Sequence, residues 1–134
     1  KQGLTEITRV LKNNGTFYCT TYSKYHMQEI SELAQNFDSR ISLSDDPLPE
    51  RFGLENGKDI LKSYFNYVEL KKYEDYLLIT EAQPLIDYIL SCHGNQNEYL
   101  GNRLKEFKIY IEDLIKESQG IKITKDSGLF ICTK

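Results

Sequence analysis

Two histidines, three cysteines and paired carboxylates define the chemistry open to this 134-residue chain. His26 lies a few residues past the run Thr16 to Tyr22, where an imidazole can face a pocket and move a proton near neutral pH. Capping or a surface position is the commoner role for a histidine so placed. Tyr22 can line a substrate pocket with its ring and hydroxyl, although aromatic residues closing a buried strand mostly pack. Cys92 and His93 are adjacent, and adjacent residues on a helix do not face each other, so no activated thiol is expected there. Asp45 and Asp46 carry hard oxygen ligands, but no second cluster with matching spacing accompanies them, and no metal site is predicted. Cys19, Cys92 and Cys132 cannot all pair within one chain and form no C-x-x-C spacing, which fits reduced thiols in a cytoplasmic protein. No residue stands out as catalytic.

Composition places these residues in an ordinary globular setting. A chain 40% hydrophobic and 28% charged predicts a single domain spanning residues 1–134 around one core. The net charge of −3 repels a phosphate backbone, and Lys71-Lys72, the one adjacent basic pair, is too small for a polyanion site, so nucleic acid is not an expected partner. No apolar run approaches the roughly 20 residues a membrane span requires, and Lys1 to Lys12 lacks a signal-peptide core. A soluble chain is expected. The ten tyrosines fit core and boundary positions with their hydroxyls reaching water.

The elements that must position these groups follow from periodicity. Leu4 to Lys12 reads as a short amphipathic helix, which Asn13-Asn14-Gly15 ends by tolerating positive φ. Thr16 to Tyr22 reads as a strand, apolar on both alternating faces and therefore expected to carry helices above and below. A helix from Tyr25 to Phe37 follows, then an ordered loop from Asp38 to Gly53 pinned by Ile41, Leu43, Leu48 and Phe52. Asn56 caps a helix holding Ile60, Leu61, Tyr64 and Phe65. Tyr67 to Tyr73 alternates as an edge-proximal strand, and Tyr76 to Thr80 stays extended. Pro84 opens a helix running to Cys92 with Leu85, Tyr88, Ile89 and Cys92 on its stripe. The strongest periodic signal predicts one long helix from Asn97 to Ser118. Gly120 ends it, and Ile121 to Thr124 and Leu129 to Thr133 are expected to form a terminal hairpin turning at Lys125 to Gly128.

The stretch Leu4-Thr5-Glu6-Ile7-Thr8-Arg9-Val10-Leu11-Lys12-Asn13-Asn14-Gly15-Thr16-Phe17 resembles the helix, turn and fifth strand of class I S-adenosylmethionine-dependent methyltransferases. There a leucine-x-glutamate-isoleucine-x-arginine-valine-leucine-lysine run is usually followed by proline-glycine-glycine. Asn13-Asn14-Gly15 departs from that turn, but asparagine also accepts left-handed geometry. Asp59 to Phe65, Val68 to Tyr73 and Leu129 to Thr133 look like the helix before the sixth strand, that strand, and the last antiparallel strand. The resemblance spans essentially the whole chain. It implies an α/β fold: a partial Rossmann-like sheet of strands equivalent to the fifth, sixth and antiparallel seventh, flanked by helices.

In that family the cofactor rests on a glycine-rich turn after the first strand, with an acidic residue after the second holding the ribose. Neither occurs here, and none of the eight glycines forms a G-x-G pair. The resemblance thus implies a C-terminal half that binds no S-adenosylmethionine tightly, belongs to a parent enzyme that does, and is inactive alone. In open α/β sheets ligands bind beyond the carboxyl ends of the strands, so Thr21, Tyr22, Ser23 and His26, with the loop after Asp38, are the expected wall of a methyl-acceptor pocket. The acceptor is not readable. Without the missing half, the strand from Thr16 to Tyr22 presents an open edge, and a homodimer through that edge is expected. The competing reading is a free-standing, non-catalytic α/β interaction module.

Overall fold

A computed structural model describes residues 2–45 and 48–134; Lys1, Asp46 and Pro47 lie outside the described residues. The element order is α1 (Gln2–Val10), β1 (Thr16–Tyr22), α2 (Gln28–Phe37), α3 (Leu48–Phe52), α4 (Gly57–Lys62), β2 (Tyr67–Ile79), α5 (Ala82–Ser91), α6 (Gln96–Leu100), α7 (Leu104–Ser118) and β3 (Ile121–Thr133). The chain is mixed α/β, with an open antiparallel sheet in the order β1-β3-β2 flanked by helices. β3 pairs antiparallel with β1 in a register that sets Phe17 opposite Cys132 and Cys19 opposite Phe130.

Two cores form where one is expected from composition. The chain divides into one compact unit of residues 1–26, 48–74 and 126–134, and a second of residues 27–47 and 75–125. In the first, Leu54, Leu61, Phe65, Val68, Phe130 and Cys132 are buried, and Leu4 and Ile7 of α1, with Leu11 just past it, pack against them with Phe17 and Cys19 of β1. Phe17 stacks on Phe65 at 5.6 Å. Lys134 Nζ donates to the carbonyls of Thr8 (2.6 Å) and Leu11 (2.8 Å), meeting the oxygens that the end of a helix leaves unpaired. Gly57 and Gly128 allow close approach: a Cβ at Gly57 would meet the Phe130 ring at 2.7 Å, and one at Gly128 would meet Leu54 at 2.9 Å and Leu70 at 3.0 Å.

In the second unit α2, α5, α6 and α7 gather around Ile30, Leu33, Ala34, Leu85, Ile86, Ile89, Leu100, Phe107, Ile111 and Ile123. The segment 40–43 is stapled to the turn between α5 and α6. Asn95 accepts from the Ser42 N–H (2.7 Å) and donates to the Arg40 carbonyl (3.0 Å), while Ile41 and Leu43 are buried beneath. Asp38 is the charge hub of this unit. Its carboxylate accepts from Arg40 Nε (2.9 Å) and Nη2 (2.7 Å) and from Arg103 Nη1 (2.9 Å). Those hydrogen bonds, the Arg40 side chain's first, hold the carboxyl well below the usual range. Arg103 also lies 4.6 Å over the Phe37 ring, and Arg40 lies 4.5 Å over Tyr99.

Several sequence expectations are revised. β1 is covered on one face only: Phe17 and Cys19 face the core, while Thr16, Tyr18 and Thr20 are exposed, Tyr18 by 60%. The helix expected from Tyr25 begins at Gln28, because Met27 takes a left-handed φ of 57° and donates its N–H to the Thr124 carbonyl at 2.8 Å. Part of the loop from Asp38 to Gly53 is helical, as α3. Asn56 precedes α4 but does not cap it with its side chain, which instead accepts from the Gly53 N–H and donates to the Glu50 carbonyl. Ile86, not Tyr88, completes the buried stripe of α5.

The long helix from Asn97 to Ser118 is broken at Gly101-Asn102-Arg103. Gly101 and Asn102, both poor helix formers, and the reach of Arg103 to Asp38 outweigh the periodic stripe. The terminal hairpin is absent. β3 runs unbroken through Lys125 to Gly128 because a central strand keeps pairing, with Ser127 opposite Tyr22 and Gly128 opposite Thr21.

Two measurements check this account. Gly128→Ala is expected to lower unfolding free energy by ~1–3 kcal/mol in urea titration, since the added methyl overpacks Leu54 and Leu70. Because the Asp38 carboxyl is depressed in the folded chain, its contribution is fully present above the ordinary value of ~3.9 and is lost as pH falls below it. Asp38→Asn should therefore melt lower at neutral pH and show a flatter loss of stability on acidification; equal acid limbs for both proteins would contradict the hub.

Candidate functional site

β1 delivers its last residues into a tight turn because polar groups there substitute for the ladder. The Ser23 N–H donates to the Asp126 carbonyl (3.0 Å), and the His26 N–H donates to the Ser23 carbonyl (3.2 Å). Ser23 is buried, and its Oγ accepts from the Tyr25 N–H at 3.1 Å. Thr21 Oγ1 donates to the Phe52 carbonyl (2.8 Å), and the Leu54 N–H donates to the Tyr22 carbonyl (3.3 Å). Thr21 and Ser23 thus fasten the neighbouring segments to the strand end rather than presenting free hydroxyls.

Tyr22 and His26 form the half-buried pair that this turn presents. Their rings stack with centroids 5.1 Å apart at an interplanar angle of 29°. His26 Nδ1 accepts from the Asp126 N–H at 3.0 Å. With Nδ1 occupied as an acceptor, the proton of the neutral ring sits on Nε2. Taking a second proton breaks the bond to Asp126. The bond to Asp126 fixes the orientation of the ring. Beside it, Lys72 Nζ lies 3.4 Å from Asp126 Oδ1, and Glu55 Oε1 accepts from the Lys24 N–H at 3.2 Å.

The four expected wall residues, Thr21, Tyr22, Ser23 and His26, are therefore brought together. The loop after Asp38 does not join them as one piece: Ile41 and Leu43 belong to the second unit's core, whereas Phe52 belongs to the first. Among the described residues no three His, Cys, Asp or Glu side chains converge as metal ligands; Asp46 lies outside them. Cys92 Sγ donates to the Tyr88 carbonyl (3.4 Å), and burial pushes its thiol up.

Sequence reasoning missed an apolar cavity of about 450 Å³ on the covered face of β1, lined by Leu4, Ile7, Phe17, Cys19, Phe52 and Ile60. Its volume falls within the ~300–1,000 Å³ typical of small-molecule sites. The signal was the alternation Phe17-x-Cys19, readable as one face of a strand but not as a gap between helices. Burial first, then the adjacent Cys132 thiol, push the Cys19 pKa up to about 11, which disfavours the thiolate that a nucleophile needs.

No protein-family model and no curated protein matches this chain. Among the described residues no helix is long and apolar enough to cross a membrane.

The thiol chemistry is directly measurable. Cys19 should alkylate with iodoacetamide at neutral pH ~100-fold more slowly than free cysteine, accelerating as pH rises toward 11. Alkylation at the free-thiol rate would place it outside the wall described.

Proposed function

We propose that this chain is the acceptor-side half of a class I S-adenosylmethionine-dependent methyltransferase domain. The observation that carries the reading is β1: it ends at Tyr22, whose ring stacks on His26 of the following turn, and its neighbour in the sheet is the last strand, running antiparallel to it. Both features answer to the resemblance, which makes β1 the fifth strand of a partial Rossmann-like sheet, β2 the sixth and β3 the antiparallel seventh. The position of Tyr22 and His26 fits the rule that ligands of open α/β sheets sit beyond the carboxyl ends of strands.

The residues present do not fit the cofactor itself. The turns that follow β1 and β2, Ser23 to Met27 and Thr80 to Glu81, contain no glycine that would let a backbone approach a nucleoside. Gly57, Gly94 and Gly128 admit the Phe130 ring, the Ser42 carbonyl and the Leu54 side chain. No step through the cofactor is derived from this chain. What it supplies is orientation: a stacked pair of rings against which an acceptor rests. Methyl transfer depends chiefly on such positioning in line with the sulfonium.

The open, uncharged edge of β1 favours a second reading, a non-catalytic α/β interaction module. The coding sequence ahead of Lys1 separates them: an in-frame strand followed by G-x-G belongs to the first, a start site to the second. In a protein carrying both halves, Tyr22→Ala and His26→Ala should each cut turnover by ~10- to 100-fold while leaving S-adenosylmethionine affinity nearly unchanged. Unaltered turnover in both variants would reject the acceptor wall.

A further inference from the structure

We infer that β1 is a self-association edge, and that two copies of this chain join through antiparallel pairing of Thr16 to Thr20 centred on Tyr18. The inference concerns this 134-residue chain by itself, since the missing half of the proposed parent would cover the same edge. It starts from which backbone groups β1 leaves over. The Ser23 N–H donates to the Asp126 carbonyl and the Lys134 N–H donates to the Gly15 carbonyl. Carried along the register, these bonds make the odd-numbered residues of β1 the ones that exchange hydrogen bonds with β3. The N–H and C=O groups of Thr16, Tyr18, Thr20 and Tyr22 therefore point to the outer edge. The Tyr22 carbonyl is met by the Leu54 N–H, and among the described residues no backbone bond reaches those of Thr16, Tyr18 or Thr20.

A twofold axis at Tyr18 matches this set of groups. It places Tyr18 opposite Tyr18 of the second copy and Thr16 opposite Thr20. Each copy's three donors then meet the other's three acceptors, giving six inter-strand hydrogen bonds with none left over. On the covered face the same register puts Phe17 beside Cys19 of the second copy. Both line the apolar cavity, so pairing extends that lining across the axis instead of leaving it at a wet rim.

Charge points the same way. Edge strands that must stay single carry charges or proline, and β2, the opposite edge, has Glu69, Lys71, Lys72, Glu74 and Asp75. β1 reads Thr-Phe-Tyr-Cys-Thr-Thr-Tyr, with no charge, proline or glycine to oppose a second copy.

The test is the oligomeric state of the 134-residue chain by light scattering over roughly 1–100 µM, with a crosslink to fix the register. A dimer is expected. Tyr18→Pro removes an outward N–H without touching the β3 ladder and should weaken the dimer by ~100-fold, the loss of two hydrogen bonds, with unchanged circular dichroism. Tyr18→Lys, which sets two like charges on the axis, should do the same should the proline variant fold poorly. Tyr18→Cys should oxidise to a dimer linked through the new thiol and its symmetry mate, since directly opposed hydrogen-bonded residues lie ~5.5 Å apart, within disulfide reach. A chain that stays monomeric throughout, or a dimer that survives Tyr18→Lys and forms no such crosslink, overturns the inference.

Discussion

A central strand must satisfy hydrogen bonds on both of its edges, and here that obligation falls on β3. It lies between β1 and β2, so neither edge strand has another sheet partner, and both compact units draw on it for core residues. Ile123 is fully buried in one hydrophobic cluster, and Phe130 and Cys132 are fully buried in the other. This obligation explains why Lys125 to Gly128, polar and glycine-containing, remain strand. Turning there would leave β1 without a partner at Thr21 and Tyr22. Gly128 provides room for Leu54 and Leu70 rather than a bend.

Local pattern was enough to locate most of the elements. The strand from Thr16 to Tyr22 has the bounds its β-branched and aromatic run indicates, and helices α1, α5 and α7 form where apolar spacing calls for them, although Val10, Tyr88 and Leu104 of their expected stripes are exposed. The failures share a cause. The start of α2 is set by the bond from Met27 to Thr124, the break before α7 by the reach of Arg103 to Asp38, and the continuity of β3 by pairing with β1. Each is a contact between residues far apart in sequence, and a tertiary contact of that kind overrides local propensity. The second core was illegible for the same reason: residues 27–47 and 75–125 come together only through the fold.

The candidate site was legible in part. That Thr21, Tyr22, Ser23 and His26 would cluster follows from where the strand ends. Their division of labour does not, because it depends on partners outside the local sequence. Thr21 is committed to Phe52, Ser23 to the turn, and His26 Nδ1 to Asp126, while the Tyr22 and His26 rings stack on each other. A histidine held in this way by a backbone N–H has its tautomer chosen by the fold. The same dependence hid the apolar cavity, whose walls come from helices on both sides of β1 in sequence.

The pairing of Thr16 with Thr133, and the closure of α1 by the Lys134 ammonium, carry a consequence for biosynthesis. Within this chain β1 leaves the ribosome well before β3, the strand that completes it. Until β3 is made, Phe17 and Cys19 have no ladder beside them, and the first compact unit cannot close. Loop-closure entropy of that span must be met before any contact offsets it, which makes late, slow assembly an inherent property of this topology. The nascent chain is most in need of shielding by chaperones in the interval before residues 126–134 arrive.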